Sequence, residues 1–166
     1  MIIGILSDTH GNITRTEAAL SALQSVPVEQ IIHCGDLGSE EIVTLLFEQQ
    51  ENGIPVTAVV GNVDEWNPDI ILYAKKLGLP LSRTATLQLD GITAAVCHGH
   101  HAQSMEALLN TPGVRIVFTG HTHIPRDEQI GATRILNPGA LHRAEVPGYA
   151  LFDTTSQTWT RTPLRL

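Results

Sequence analysis

The sequence has no apolar run that approaches the ~20 residues of a membrane-spanning helix. Its first residues lack the basic start of a secretory signal peptide, and they reach Asp8 and His10 too early for one. Internal repeats, low-complexity tracts and linkers are also missing. We therefore expect a cytoplasmic protein without a membrane anchor. We also expect one domain over residues 1–166, because this length suffices for one sizeable core.

Positive charge is scarce, with 10 Lys and Arg against 17 Asp and Glu and a formal net charge of −7. A general nucleic-acid-binding protein usually presents a basic face, so we do not expect one here. A phosphate-bearing substrate remains compatible with this charge, because bound metal ions can invert the local field.

Cysteine is scarce as well. Cys34 and Cys97 both lie at the ends of predicted strands, and neither belongs to a Cys-x-x-Cys pair. Buried, reduced thiols fit this pattern better than a disulfide. A structural zinc site is also not expected.

The first third of the chain alternates between strands and helices. Thr14–Glu17 resembles a capping box that opens a helix reaching about Leu23, and Ser39 precedes a helix that ends near Gly53. Continuous apolar runs predict buried strands at 2–7, 30–34 and 55–60. Strand–helix–strand–helix–strand indicates a parallel sheet with right-handed crossovers.

The second half has a different pattern. Hairpin signals occur at Asp90-Gly91 and Gly131-Ala132, and a short helix is predicted at about 104–109. Residues 149–154 and 158–163 predict a last antiparallel pair. We therefore expect a parallel half joined to an antiparallel half, as two packed sheets with helices outside. Glu65–Pro80 has the least regular pattern and is predicted to be a cap beside the site.

Polar residues of the metal-binding types follow five of the apolar strands. In a parallel sheet the carboxyl ends of the strands share one edge, so these residues should converge. Asp, Asn and His supply the mixed oxygen and nitrogen donors that suit first-row divalent ions. The strand-end residues are Asp8 and His10, Asp36, Asn62 and Asp64, His98 and His100, and His121 and His123.

Seven of these residues are candidate metal ligands: Asp8, His10, Asp36, Asn62, His98, His121 and His123. Seven are too many for one ion, but two ions that share one carboxylate would use them all. Two metals ~3.5–4 Å apart activate water for in-line attack on phosphorus. Ser7 and Cys97 each precede a ligand and are expected to point away, which leaves a metal-bridging hydroxide as the nucleophile.

The order of the motifs "DTH", "GD", "GNVD", "HGH" and "GHTH" resembles the calcineurin-like metallophosphoesterases. The short chain, "SDTHGN" and "NPGA" are similar to the small prokaryotic phosphodiesterase branch. The resemblance implies an α/β fold, a four-layer α/β/β/α sandwich of two mixed sheets flanked by helices. It also implies two divalent ions per chain, commonly Mn²⁺, with Fe, Ni, Zn or Co in relatives.

The resemblance further implies how the ligands divide between the ions. Asp8, His10, Asp36 and His123 would hold one ion, and Asp36 would bridge to the second. The second ion would be held with Asn62, His98 and His121. We predict that Asp36, Asn62 and His98 act in catalysis through these ions, and that His100 acts beside them.

Two departures from the family pattern affect these expectations. Val63 stands where many relatives have a histidine that helps the leaving group, so we expect substrates with good leaving groups. Ala140 replaces the usual serine of "NPGS", with little expected effect. His100 has two open interpretations: contact with the substrate, as a phosphate ligand or an acid, or a hydrogen bond to the ligand set. His101 is predicted to be solvated, and His33 and His142 to be structural.

The function predicted from these residues is the metal-dependent hydrolysis of small phosphate diesters. The alternatives are a phosphomonoesterase or nuclease of the same superfamily, or a non-catalytic scaffold like the retromer subunit that shares the fold. The complete ligand set favours an enzyme. The expected partner is a small phosphate ester, and the sequence leaves a homo-oligomer open.

Overall fold

A computed structural model describes residues 1–165 of the chain. Within these residues, ten strands form two sheets of five strands each, and helices flank both sheets. The strands are β1 (Ile2–Leu6), β2 (Val28–His33), β3 (Val56–Ala58), β4 (Thr84–Leu89), β5 (Ile92–Cys97), β6 (Val114–Phe118), β7 (Arg126–Ile130), β8 (Thr133–Asn137), β9 (Gly148–Asp153) and β10 (Thr158–Pro163).

The helices are α1 (Ile13–Gln24), α2 (Glu40–Glu51), α3 (Asn62–Glu65), α4 (Pro68–Leu77) and α5 (Ala102–Leu109). Three of the helices in residues 1–165, α1, α2 and α5, were predicted with shifted boundaries, and α3 and α4 were not predicted. The predicted capping box at Thr14 is wrong. The N-cap of α1 is Asn12, whose side-chain oxygen accepts a hydrogen bond of 3.1 Å from the Arg15 backbone N–H. Asn12 provides a side-chain acceptor one residue before the helix, which is the geometry that an N-cap requires.

The prediction that Glu65–Pro80 is irregular is also wrong, because helix α4 occupies most of it. Pro68 lies in the first turn and Gly78 ends the helix in the left-handed region, with φ 91°. Proline at a helix start and glycine just past its end are helix boundary signals, although the same residues also mark turns. Ile70 and Ala74 of α4 are buried in the apolar layer on the helix side of the first sheet.

Both sheets are mixed, as predicted. The first has the order β10-β9-β1-β2-β3, in which β1, β2 and β3 are parallel and β9 runs antiparallel to β1. The second has the order β4-β5-β6-β8-β7. Its three central strands, β5, β6 and β8, are parallel, so the expectation of an antiparallel second half is wrong for its centre. The last pair, β9 and β10, joins the first sheet.

Three apolar layers hold the four structural layers together. The layer between the sheets contains Ile3 and Ile5 of β1, and the rings of Phe118 and Phe152 pack edge to face at 5.9 Å. Helices α1, α2 and α4 cover the other face of the first sheet, and α5 covers the second sheet. The result is the α/β/β/α sandwich that the family resemblance implied.

The sheets meet at the edge where the parallel strands end. The backbone N–H of Asp8, after β1, donates to the carbonyl of Gly35, after β2, at 3.0 Å. In the second sheet the N–H of Gly120 donates to the carbonyl of His98 at 3.0 Å. A bond of 3.1 Å from the His121 N–H to Asp8 Oδ2 then joins the two edges. None of the helices within residues 1–165 has the length and apolar character that crossing a bilayer requires.

Candidate metal centre

The loops after the strands have an unusual backbone conformation. Outside glycine, a positive φ is uncommon, and such strain of ~1–3 kcal/mol per residue concentrates at functional sites. Here φ ranges from 45° at His10 to 67° at His121 among the predicted ligands that adopt it. These are five of the seven candidates: Asp8, His10, Asp36, His121 and His123.

The Asp8 carboxylate is fully buried, and its two oxygens have different environments. Oδ2 accepts hydrogen bonds from the Ser7 hydroxyl at 2.5 Å and from the His121 N–H at 3.1 Å. Ser7 therefore orients Asp8, and the expectation that it points away from the site is wrong. A residue next to a ligand can still reach it when the loop leaves the alternation of the strand.

Asp8 Oδ1 is buried and has no hydrogen-bond partner among the residues that the structure describes. Three imidazole nitrogens surround it instead: His123 Nε2 at 3.2 Å, His10 Nε2 at 3.9 Å and His98 Nε2 at 3.9 Å. An unsatisfied buried carboxylate oxygen is costly, and a bound cation removes that cost.

The tautomers of two histidines strengthen this interpretation. His98 Nδ1 lies 2.7 Å from the Cys34 carbonyl oxygen, and His123 Nδ1 lies 3.2 Å from that of Arg143. A carbonyl only accepts, so each Nδ1 carries the proton, and each Nε2 of the neutral ring presents a lone pair to Asp8 Oδ1. Lone pairs that converge on a carboxylate require a proton or a metal ion between them, and backbone carbonyls that fix the tautomer are typical of metal-binding histidines.

Asp36 lies between the two groups of ligands. Its Oδ2 is 3.4 Å from His98 Nε2 and 3.7 Å from His10 Nε2, and its Oδ1 accepts a hydrogen bond of 2.9 Å from the Val63 N–H. Gly61 approaches so closely that a Cβ at this position would collide with the Asp36 carboxylate. This position between histidines of both sheets is the one that a bridging carboxylate requires.

Asn62 completes the cluster, together with His121. Its side-chain Oδ1 lies 3.1 Å from His98 Nε2 and 3.1 Å from His121 Nδ1. The structure thus brings all seven candidate ligands together at one edge. Two subsets have ligand atoms within 4.8 Å of one another: Asp8, His10 and His123, and Asp8, Asp36 and His98.

The charges of the site shift several pKa values. Burial lowers the pKa of His98, but Asp36 and Asp8 outweigh it and the net pKa is raised. The contact with Asp8 raises the pKa of His123, whereas burial lowers that of His10. Burial raises the pKa of Asp36, but the hydrogen bond with His98 and other contacts leave it lowered. The buried carboxylates therefore attract positive charge, either as protons or as metal ions.

His100 and His101 extend the site on one side. The His100 ring lies 5.2 Å from the His98 ring, centroid to centroid, and both of its nitrogens are buried without a hydrogen-bond partner within residues 1–165. His101 keeps 41% of its side chain exposed, as predicted, but its Nε2 also lies 3.2 Å from Glu65 Oε1. The sequence pattern did not single out Glu65, because it lies at the end of helix α3 and not directly after a strand.

His33 has the structural role expected of it. The Gly35 N–H donates to its Nδ1 at 3.2 Å, so its Nε2 carries the proton and donates to the Thr9 hydroxyl at 3.1 Å. That hydroxyl donates to the Leu37 carbonyl at 3.1 Å. Burial lowers the pKa of His33 to about 4. His142, also predicted to be structural, lies with its Nδ1 3.1 Å from the side-chain nitrogen of Asn12.

Asp64 supports the ligand loops, a role that the sequence did not reveal. It is fully buried and accepts hydrogen bonds from the N–H groups of Gly61 at 2.9 Å, Gly38 at 2.9 Å and Leu37 at 3.2 Å. These bonds join the loop that carries Asp36 to the start of α3. The available signal was the acidic residue at the third position of a helix, which is a capping-box position.

Comparison with known proteins agrees with this geometry. Residues 1–157 match the model of the calcineurin-like phosphoesterase superfamily domain. The chain is 26% identical to a phosphodiesterase of Methanocaldococcus jannaschii, over 96% of both sequences. Among solved structures, it is similar to a novel archaeal phosphodiesterase, with a TM-score of 0.84 and 25% identity over 99% of this chain and 100% of that one. It also shares its fold with an E. coli phosphoesterase, with a TM-score of 0.73 and 21% identity over 99% of this chain and 100% of that one.

Proposed function

We propose that this chain, which belongs to the calcineurin-like phosphoesterase superfamily, is a metal-dependent phosphodiesterase that hydrolyses small phosphate diesters. The observation that carries the proposal is the buried Asp8 Oδ1, which has no hydrogen-bond partner among the described residues and on which the Nε2 atoms of three histidines converge: His10, His98 and His123. This donor set fits divalent ions. Two bound ions supply Lewis-acid activation of water and neutralise charge on the reacting phosphate.

The residues divide into two sets around Asp36. Asp8, His10 and His123 would hold one ion, and Asn62, His98 and His121 the other, with Asp36 shared. The Asp36 Oδ2 distances of 3.7 Å to His10 and 3.4 Å to His98 support this division. We propose Mn²⁺ as the ion, with Fe, Ni, Zn and Co as the other candidates, because oxygen and imidazole donors suit this series.

The environments of Ser7 and Cys97 favour water as the nucleophile over either side chain. The Ser7 hydroxyl is fully buried and already donates to Asp8 Oδ2 at 2.5 Å, so it is not free to attack a substrate. Cys97 packs in the apolar layer under α5, and burial raises its pKa to about 11. A covalent intermediate on either residue is therefore disfavoured.

The preference for diesters rests on Val63. This residue touches the site through its backbone N–H, which donates to Asp36 Oδ1, but its hydrocarbon side chain has no proton to give a departing alkoxide. Leaving groups of low pKa suffer least without an acid. A diester also brings one negative charge fewer than a monoester into a protein with a net charge of −7.

The complete donor set favours an enzyme over a non-catalytic scaffold. To test this, protein treated with a chelator would be assayed with and without Mn²⁺ on bis(p-nitrophenyl) phosphate and on p-nitrophenyl phosphate. We expect hydrolysis only with added metal and a larger kcat/KM for the diester. Full activity in the chelator would overturn the metal dependence, and a preference for the monoester would make the protein a phosphomonoesterase.

A further inference from the structure

A second group of metal-type donors lies outside the seven candidate ligands. Glu65, the last residue of α3, faces His100 and His101, which lie between β5 and α5. Glu65 Oε2 is 3.4 Å from His100 Nε2 and 3.3 Å from His101 Nε2. The three side chains are each partly buried, and one donor atom from each lies within 4.8 Å of the others.

These separations match the edges of a small coordination polyhedron. Zinc binds imidazole nitrogen and carboxylate oxygen at ~2.0–2.2 Å, so neighbouring donors around a tetrahedral zinc ion lie about 3.3–3.6 Å apart. The two oxygen–nitrogen distances of 3.3 and 3.4 Å lie within this range. Two histidines and one carboxylate are also the donors of many zinc sites that keep one position open.

The environment of the His100 ring nitrogens is independent evidence for an ion beside Glu65. Both of its ring nitrogens are buried, and neither has a hydrogen-bond partner in the part of the chain that the structure describes. Its Nε2 lies near Glu65 Oε2 but is not aligned for a hydrogen bond. A buried imidazole normally finds a partner, and an ion placed between His100 and Glu65 would supply one.

Arg83 also contacts the Glu65 carboxylate. Its Nε donates to Glu65 Oε1 at 2.9 Å, whereas His100 approaches Oε2. Arg83 is largely exposed. The Arg83 contact is therefore with Oε1, whereas His100 and His101 both approach Oε2.

We propose that Glu65, His100 and His101 form a third divalent-cation site, suited to Zn²⁺, beside the two-ion centre. The His100 ring lies 5.2 Å from the ring of His98 and 6.1 Å from that of His121, so the site adjoins the second set of ligands. Three protein donors leave a coordination position for water or a phosphate oxygen. A role in stabilising the leaving group, which Val63 cannot assist, rests on the proposed function; the binding of the ion does not.

The test counts bound ions by equilibrium dialysis of the metal-free full chain against increasing Zn²⁺. Wild type is compared with Glu65→Gln and His101→Gln, which each remove one donor. Arg83→Gln is the matched control, because it removes a contact of Glu65 without removing a donor. Circular dichroism and thermal unfolding show that each variant is folded.

We expect Glu65→Gln and His101→Gln each to bind one Zn²⁺ fewer than wild type, and Arg83→Gln to bind as many as wild type. Equal numbers in wild type and in both donor variants would overturn the site. The count does not depend on turnover. The diesterase assay and the ion count are therefore separate tests. An inactive protein could still bind the third ion, and an active protein that binds no extra ion would lack this site.

Discussion

The two sheets contribute different chemistry to the same edge. The first sheet supplies mainly oxygen donors, from Asp8, Asp36 and Asn62, together with the imidazole of His10. The second supplies only imidazoles. The negative charge of the ligand set thus comes from the first half alone, and most of its titratable nitrogen comes from the second. Neither sheet holds a full ligand set by itself, so metal binding depends on how the sheets pack.

The largest effect should come from removing the carboxylate that both halves share. Asp36→Ala should lower kcat/KM by at least ~10²–10³-fold with Mn²⁺, because charge stabilisation by two ions is worth several kcal/mol. The fold should survive, since the site edge lies outside the apolar layers. Asp69→Ala, at an exposed carboxylate of α4, is the control and should behave as wild type. Near-normal turnover of Asp36→Ala would contradict the bridging role.

The next effect concerns the leaving group, which Val63 of the first half cannot protonate; His100 of the second half is the alternative residue to assist it. We expect kcat/KM to fall steeply as the pKa of the leaving group rises, because a missing acid costs ~10²–10⁴ in rate for poor leaving groups. The measurement is a series of aryl and alkyl diesters of graded pKa. A flat dependence that becomes steep in His100→Asn would transfer the role to His100 and refute the interpretation of Val63.

We expect low pH to release the metal ions, because the histidines of the second sheet become protonated. The raised pKa values of His98 and His123 mean that protons compete for these nitrogens as pH falls through those values. We expect the dissociation constant for Mn²⁺ to rise about tenfold per pH unit for each histidine that must lose a proton. Titrations at pH 8, 7, 6 and 5 measure this. A constant affinity over that range would show that these histidines are not ligands.

His33, unlike the histidines of the second sheet, is expected to affect only the stability of the fold and its dependence on pH, and this effect is smaller. Its pKa in the folded state is lowered to about 4, so the stability it contributes is present above pH 6.5 and lost as pH falls towards 4. The loss amounts to up to about 3 kcal/mol. Denaturant unfolding of metal-free protein between pH 7 and 4 should show it, and His33→Gln should reduce it. An equal loss in the variant would assign the dependence to other groups.

The sequence predicted much of the fold because its signals are local. Apolar runs that end in polar residues marked the strands and placed the seven candidate ligands at one edge, where the structure brings them together. Helix α4 was missed because Pro68 and Gly78 signal both turns and helix ends. The pairing of β6 with β8 depends on contacts between distant segments, which hairpin signals do not describe.

The contacts that support the site could not be predicted from the sequence, because they also join segments that are distant along the chain. Asp64 bonds to backbone groups 26 and 27 residues away, and His101 meets Glu65 across 36 residues. Ser7 was assigned to the wrong side because strict alternation fails where Asp8 adopts φ 53°. Residue types and strand ends thus predicted which side chains converge, whereas their orientation required the folded loops.

The claim that the two sheets jointly hold two ions is tested most directly by anomalous diffraction from crystals grown with Mn²⁺. We expect two manganese peaks ~3.5–4 Å apart on either side of the Asp36 carboxylate. One should lie beside His10 and His123, and the other beside Asn62 and His121. A single peak at this edge, or none, would contradict the two-ion centre.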